Sequence, residues 1–103
     1  MLLTTIETLP EQKFTVLDLV RGSTVQCKNF GHDFIAGLKN LVGGEMSEYT
    51  ELMDEARRIA TDRMIQEAEH LSADAIIGLR YSSSEITQGA AEILAYGTAV
   101  KFL

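Results

Sequence analysis

The chain holds one cysteine, one proline, two histidines and no tryptophan in 103 residues, and each scarcity excludes something. A single thiol, Cys27, rules out an intrachain disulfide and a CxxC metal or redox pair. Nine basic residues against fifteen acids leave a formal charge of -6, which argues against nucleic-acid binding through a basic face. No apolar run approaches the roughly 20 residues needed to span a bilayer, so no membrane partner is expected. The opening MLLTTIETLPEQ lacks the basic n-region and long apolar core of a signal peptide. A soluble, cytoplasmic chain is the expectation. GxSxG, HExxH and the P-loop are all absent, so no strong catalytic spacing is available to read.

What is present is an ordinary globular composition, 46% hydrophobic and 23% charged, of a length that suits one domain over residues 1–103. A domain this small buries only about 60–70% of the surface its unfolded chain exposes, so a partner subunit would help to stabilise it. Leu2 to Ile6 reads as a short edge strand ended by the turn at Pro10. Lys13 to Cys27, rich in Val, Leu and Thr, reads as a long strand, with Gly22 marking a bulge or bend. Period-2 alternation places Val16, Asp18 and Val20 on one side of it, facing solvent at Asp18. Asn29 caps a predicted helix running to Val42, closed by Gly43-Gly44.

Ser47 caps a second, longer helix whose apolar set is Tyr49, Leu52, Met53, Ala56, Ile59, Ala60, Met64, Ala68 and Leu71. Eight of the fifteen acids fall between Glu45 and Glu69, so the acidity is concentrated here. Met46, Ile65 and the alanines make the stripe wide enough to touch both a sheet and a second body. The pairs Asp54–Arg58 and Arg63–Glu67 fall at i, i+4 on the outer side. A polar turn, Ser72-Ala73-Asp74, leads into a strand in which Ala75, Ile77, Leu79 and Tyr81 share one face and Ile76, Gly78, Arg80 and Ser82 the other. Glu85 to Gly89 reads as a turn. The last strand, Glu92 to Leu103, is apolar on both faces, with Leu94, Tyr96, Val100 and Phe102 on one and Ile93, Ala95, Gly97 and Ala99 on the other. Such a strand is central or covered twice.

Candidate chemistry is sparse. Cys27, His32 and Asp33 are of the right ligand types for a soft or borderline metal, and stand against a plain reading as a strand thiol and a surface histidine. Glu48, Glu51 and Glu55 share a helix face, which reads better as solvated than as a hard-cation or acid–base site. His70 suits a helix C-terminus, and Asp74 suits the turn after it. Met46, Met53 and Met64 read as core fillers, not as a soft-metal cluster.

Three stretches carry a family resemblance: FIAGLKNLVGGE at Phe34–Glu45, ARRIATDRMIQEAEHLSADAIIGLRY at Ala56–Tyr81 and ILAYGTAVK at Ile93–Lys101. In that order they resemble the YbjQ-like family, small bacterial proteins that carry a heavy-metal-binding label. Ser72 stands where the family usually has glycine, which implies a tighter or better-capped turn. The resemblance implies a dodecin-subunit-like α+β chain, an antiparallel sheet on one long and one shorter helix in the order β-β-α-α-β-β. It also implies pentameric rings in which short extra strands join neighbours. No ligand cluster lies in the shared stretches, so the metal label attaches to no residue here, and the cofactor stays unknown. The leading expectation is a non-enzymatic homo-oligomer with room for a small ligand or ion. The alternatives are a heavy-metal-binding protein and an enzyme with a composite inter-subunit site using Tyr81, Tyr96, Arg80 or Asp74.

Overall fold

The computed structural model describes residues 1–27, 47–88 and 90–103, with the backbone alone described for Cys27 and residues 47–49. The helix expected from Asn29 to Val42, and with it the second helix of the predicted order, lies outside the described residues. Within them the chain forms β1 (Leu2–Leu3), β2 (Phe14–Cys27), α1 (Ser47–His70), β3 (Ala75–Thr87) and β4 (Ala90–Phe102). The fold is α+β. The sheet order is β1-β3-β4-β2, and β4 is therefore central, as its two apolar faces require.

The sheet is mixed, where an antiparallel one was expected. β1 pairs parallel with β3, and β4 pairs antiparallel with both β3 and β2. β1 and β2 consequently run in the same direction on opposite sides of the sheet. Their link cannot be a hairpin and has to cross a sheet face. The crossing is useful: Leu9 packs there with Phe14, Ala75, Ile77, Val100 and Phe102 in a small second core.

The main core lies on the other face, under α1. Ala56, Ala60, Met64 and Ala68 are fully buried and recur every four residues, against Val20, Ile76, Leu79, Ile93, Ala95 and Ala99. Three alanines in that row bring the helix backbone close to the sheet, and Gly22 is where the approach is tightest. A Cβ on Gly22 would overlap the Ala60 carbonyl oxygen and the Met64 nitrogen and would lie 2.8 Å from the Arg63 carbonyl carbon. Register continues unbroken through Gly22, opposite Ala95, so the bulge expected there is absent. The glycine serves packing, not bending.

The bulges fall elsewhere. Val16 lies opposite Val100 and Asp18 opposite Ala99, so Leu17 is the extra residue in β2. In β3, Ile77 faces Thr98 and Arg80 faces Tyr96, with Gly78 at φ 61° taking up the slack. Each bulge reverses the inside–outside parity of its strand. Val16 and Val20 therefore lie on opposite faces, as do Ile77 and Leu79, contrary to simple alternation. Asp18 is exposed as expected. The β3–β4 hairpin is also longer than predicted, with Thr87 opposite Ala90 and only Gln88 and Gly89 between the strands.

α1 ends in a glycine-type cap built on a serine. Ala73 N–H donates to Ala68 C=O at 3.1 Å and Ser72 N–H to Glu69 C=O at 2.9 Å, the two bonds of a Schellman motif. Ser72 occupies the left-handed position at φ 58°, which an L-residue adopts at a cost.

Candidate functional site

The thiol of Cys27, together with His32 and Asp33, lies outside the described residues; the backbone of Cys27 closes β2 opposite Ala90. Among the described residues no group of three or more His, Cys, Asp or Glu side chains could hold a metal ion. His70 is exposed at the last position of α1, where the helix dipole favours a cation. Asp74 is structural. Its Oδ2 accepts from Phe102 N–H at 2.7 Å and its Oδ1 lies 3.7 Å from Lys101 Nζ, while Lys101 also donates to the Ser72 carbonyl at 3.0 Å. These bonds tie the turn after α1 to the end of β4.

On the acidic face of α1, the Glu48 side chain lies outside the described residues, and Glu51 and Glu55 are exposed. The Arg58 guanidinium hydrogen-bonds Glu55 and holds its carboxyl below the usual glutamate value, and Glu55 in turn raises Arg58. A carboxylate held ionised in this way is unsuited to donating a proton at neutral pH. Asp54 pairs with Arg57 at 2.6 Å, and Arg58 reaches Asp62 at 3.1 Å. The expected pair Asp54–Arg58 is thus replaced by nearer partners on both sides.

Arg63 and Glu67 do not pair with each other either; both reach across to β2. Arg63 Nη1 donates to the Ser23 carbonyl at 2.6 Å, and Arg21 N–H donates to Glu67 Oε1 at 3.2 Å. β2 is an edge strand, and these are backbone groups on its outer side. Asp18 Oδ1 does the same locally, accepting from Leu19 N–H at 2.8 Å. Three side chains thus occupy one outward backbone group each of Leu19, Arg21 and Ser23, a way to discourage an edge strand from recruiting another strand.

The residues considered for a composite active site do not converge within one chain. The bulge at Gly78 turns Tyr81 to the helix side, where its hydroxyl lies 2.8 Å from Thr61 Oγ1. Tyr96 is on the opposite face. Arg80 Nη1 donates to the carbonyls of Thr5 and Leu79, both at 2.9 Å, which fastens the N-terminal segment along β3. Register does create one row that composition could not show: Arg80, Tyr96 and Arg21 are successive cross-strand neighbours. Its signal is the strand register, which a single sequence does not contain.

Around that row the face opposite α1 is mixed, with Ser23, Ser82, Glu92 and Thr98 beside exposed apolar side chains that none of the described residues covers. Leu19 is 61% exposed and Val25 51%, with Val16, Leu94 and Tyr96 on the same side. The N-terminal crossing covers only the end of this face near Ile77 and Val100. The shape is extended, with a radius of gyration of 16.9 Å. A compact chain of this length would have about 13 Å. No helix among the described residues is long and apolar enough to cross a membrane.

A model of the family described as "Putative heavy-metal-binding" matches residues 1–103. A UPF0145 protein of Clostridium novyi (strain NT) is 53% identical over 103 residues, covering the whole of both chains. Another, from Archaeoglobus fulgidus, is 50% identical over 101 residues, 97% of this chain and 94% of its own; such archaeal relatives widen the bacterial range that the resemblance implied. The crystal structure of a protein of unknown function from Pediococcus pentosaceus ATCC 25745, described as belonging to the DUF74 family, matches with a TM-score of 0.72. That match covers 100% of this chain and 98% of the other at 20% identity, and shows a shared fold.

Proposed function

The chain belongs to the YbjQ-like family, and from that premise we propose that it works as a non-enzymatic subunit of a homo-oligomeric ring. The observation that carries this reading is the set of large apolar side chains exposed on one face of β2 and β4, Val16, Leu19, Val25 and Tyr96. Monomeric proteins rarely leave a contiguous apolar surface uncovered, and such faces mark association sites. Closed cyclic symmetry is the usual outcome when one patch meets a different patch on the next copy, and the family resemblance suggests five copies. Clefts between subunits would be the place for a small ligand or ion. Light scattering on the purified protein at micromolar concentration tests the reading. A ring mass is expected, and a monomer would remove it.

A second reading, heavy-metal binding, is favoured by the description of the matching family model. Its candidates are Cys27, His32 and nearby carboxylates. Elemental analysis of the purified protein and of Cys27→Ala tests it. Bound soft metal lost in the variant would support it, and a metal-free wild type would end it.

A further inference from the structure

Residues 1–13 are held differently from the long strands. β2 and β4 pair over their whole length, whereas only Leu2 and Leu3 of the first thirteen residues are strand. None of the thirteen is fully buried, and the large apolar side chains of Met1, Leu2 and Ile6 stay on the surface. Two side chains reach inward. Leu3 packs against the core under α1, and Leu9 against Ala75, Ile77 and Val100 on the other face. β1 adds a short parallel ladder to Ala75 and Ile76, prolonged by Thr4 N–H to Ile76 C=O at 3.0 Å.

Polar contacts to this segment are densest at the Gly78 bulge. Gly78 N–H donates to Ile6 C=O at 2.8 Å, Leu79 N–H to Thr4 C=O at 3.0 Å and Arg80 Nη1 to Thr5 C=O at 2.9 Å. Three consecutive residues of β3 thus hold three consecutive carbonyls. In a regular strand successive N–H groups point to opposite sides, so one edge could offer only one of Gly78 and Leu79. The left-handed φ of 61° at Gly78 turns both to the same edge. Arg80 then closes over the middle carbonyl, its Nη1 fixed by a further bond to Leu79 C=O at 2.9 Å. Glu7 passes over the glycine, its Cγ 3.7 Å from where a Cβ would stand. The segment then turns at Leu9–Gln12, where Gln12 N–H donates to Leu9 C=O at 3.2 Å, and is anchored beyond the turn by Leu103 N–H to Lys13 C=O at 3.0 Å.

We propose that residues 1–11 form a strap that opens and closes on the sheet as one unit, with Gly78, Leu79 and Arg80 as its latch and the turn at Leu9–Gln12 as its hinge. A segment with few buried apolar contacts and surface hydrogen bonds opens at a lower free energy than the core. The latch grips the strap at its middle, between Leu3 and Leu9, and so couples the two inward contacts. Opening uncovers Ala75, Ile77 and Val100, the last of which neighbours the exposed Val16 across the β2–β4 ladder. The strap therefore sets how far the apolar surface of that face extends.

Amide hydrogen exchange on the full chain tests this. The amides of Thr4, Gly78 and Leu79, which join strap to sheet, are expected to exchange together and at least about tenfold faster than those of Gly22 and Ala95, paired across the β2–β4 ladder. Arg80→Ala and Leu9→Ala are each expected to speed all three by one common factor, about tenfold or more. Leu9 bonds to none of the three, so a shared response reports a single opening, where fraying would give each variant its own local pattern. A thiol under the strap, Ile77→Cys in a Cys27→Ala background, is expected to react with a maleimide faster by a similar factor when Arg80→Ala is added. Exchange of the three amides at the rate of Gly22 and Ala95 overturns the strap. A response to either variant confined to the amides nearest it does the same. A thiol whose reactivity ignores Arg80→Ala overturns the uncovering of Ile77.

Discussion

Gly22→Ala isolates the contact on which α1 rests. The added methyl would meet backbone atoms of Ala60, Arg63 and Met64 at separations that no real Cβ shows. None of these is the flexible end of a side chain, so relief requires the helix to move away from β2. Movement there loosens Val20 and Met64, both fully buried, along with Ile93 and Ala95. Overpacking of this kind costs about 1–3 kcal/mol, and backbone opponents place the case at the upper end. About 3 kcal/mol is a large part of the roughly 5–15 kcal/mol that a domain of this size has in total. The melting temperature is then expected to fall by at least about 10 °C. Urea and thermal unfolding followed by circular dichroism would measure it, with both proteins at one concentration because any association would shift the transition. A loss below about 1 kcal/mol would refute the close approach of α1 to Gly22.

Gly78→Ala is the companion case. The nearest atom to its added methyl is Glu7 Cγ at 3.7 Å, ordinary contact, so only the left-handed φ of 61° opposes it. A loss of about 1–2 kcal/mol is expected in the same unfolding assay, less than for Gly22→Ala. Ser72→Gly is expected to stabilise the protein by about 0.5–1 kcal/mol, because glycine relieves the strained left-handed position at the end of α1 while giving back some unfolded-chain entropy. A lower melting temperature would contradict that cap geometry. Glu55 is expected to titrate below an ordinary glutamate in an NMR pH series, and Arg58→Gln to bring it back up, since the guanidinium hydrogen bond is the main cause. The sign follows from a lowered folded-state value: its contribution to stability is present above the unfolded glutamate pKa and disappears as pH falls through the folded one. Both side chains are on the surface, so added salt should shrink the difference between the two proteins.

Much of this architecture is legible in the residues. The spacing from Ser47 through Ala56, Ala60, Met64 and Ala68 marks α1 and its buried side, and the two apolar faces of Ile93–Phe102 mark a central strand. Parity in the flanking strands is not legible. A glycine reads the same whether it closes a bulge, as Gly78 does, or admits a helix, as Gly22 does, because the difference lies in what approaches it from elsewhere in the chain. Leu17 has no local mark at all: its bulge exists only relative to β4. Arg63 and Glu67 mislead for a related reason. Their i, i+4 spacing permits an ion pair, yet each finds an unsatisfied backbone group on β2, and a charge-assisted bond to such a group is stronger than an exposed pair in water.

That preference links the surface of α1 to the guarding of an edge strand. If Arg63 and Glu67 paired with each other, the outer groups of Arg21 and Ser23 that they now contact would be open to another strand. The same two residues also help to seat α1 over Gly22, so packing and edge control are coupled in a single pair of side chains. Arg63→Ala with Glu67→Ala should therefore lower stability and promote concentration-dependent association beyond the wild-type mass. Lower stability with no added association would mean that the contacts to β2 serve packing alone.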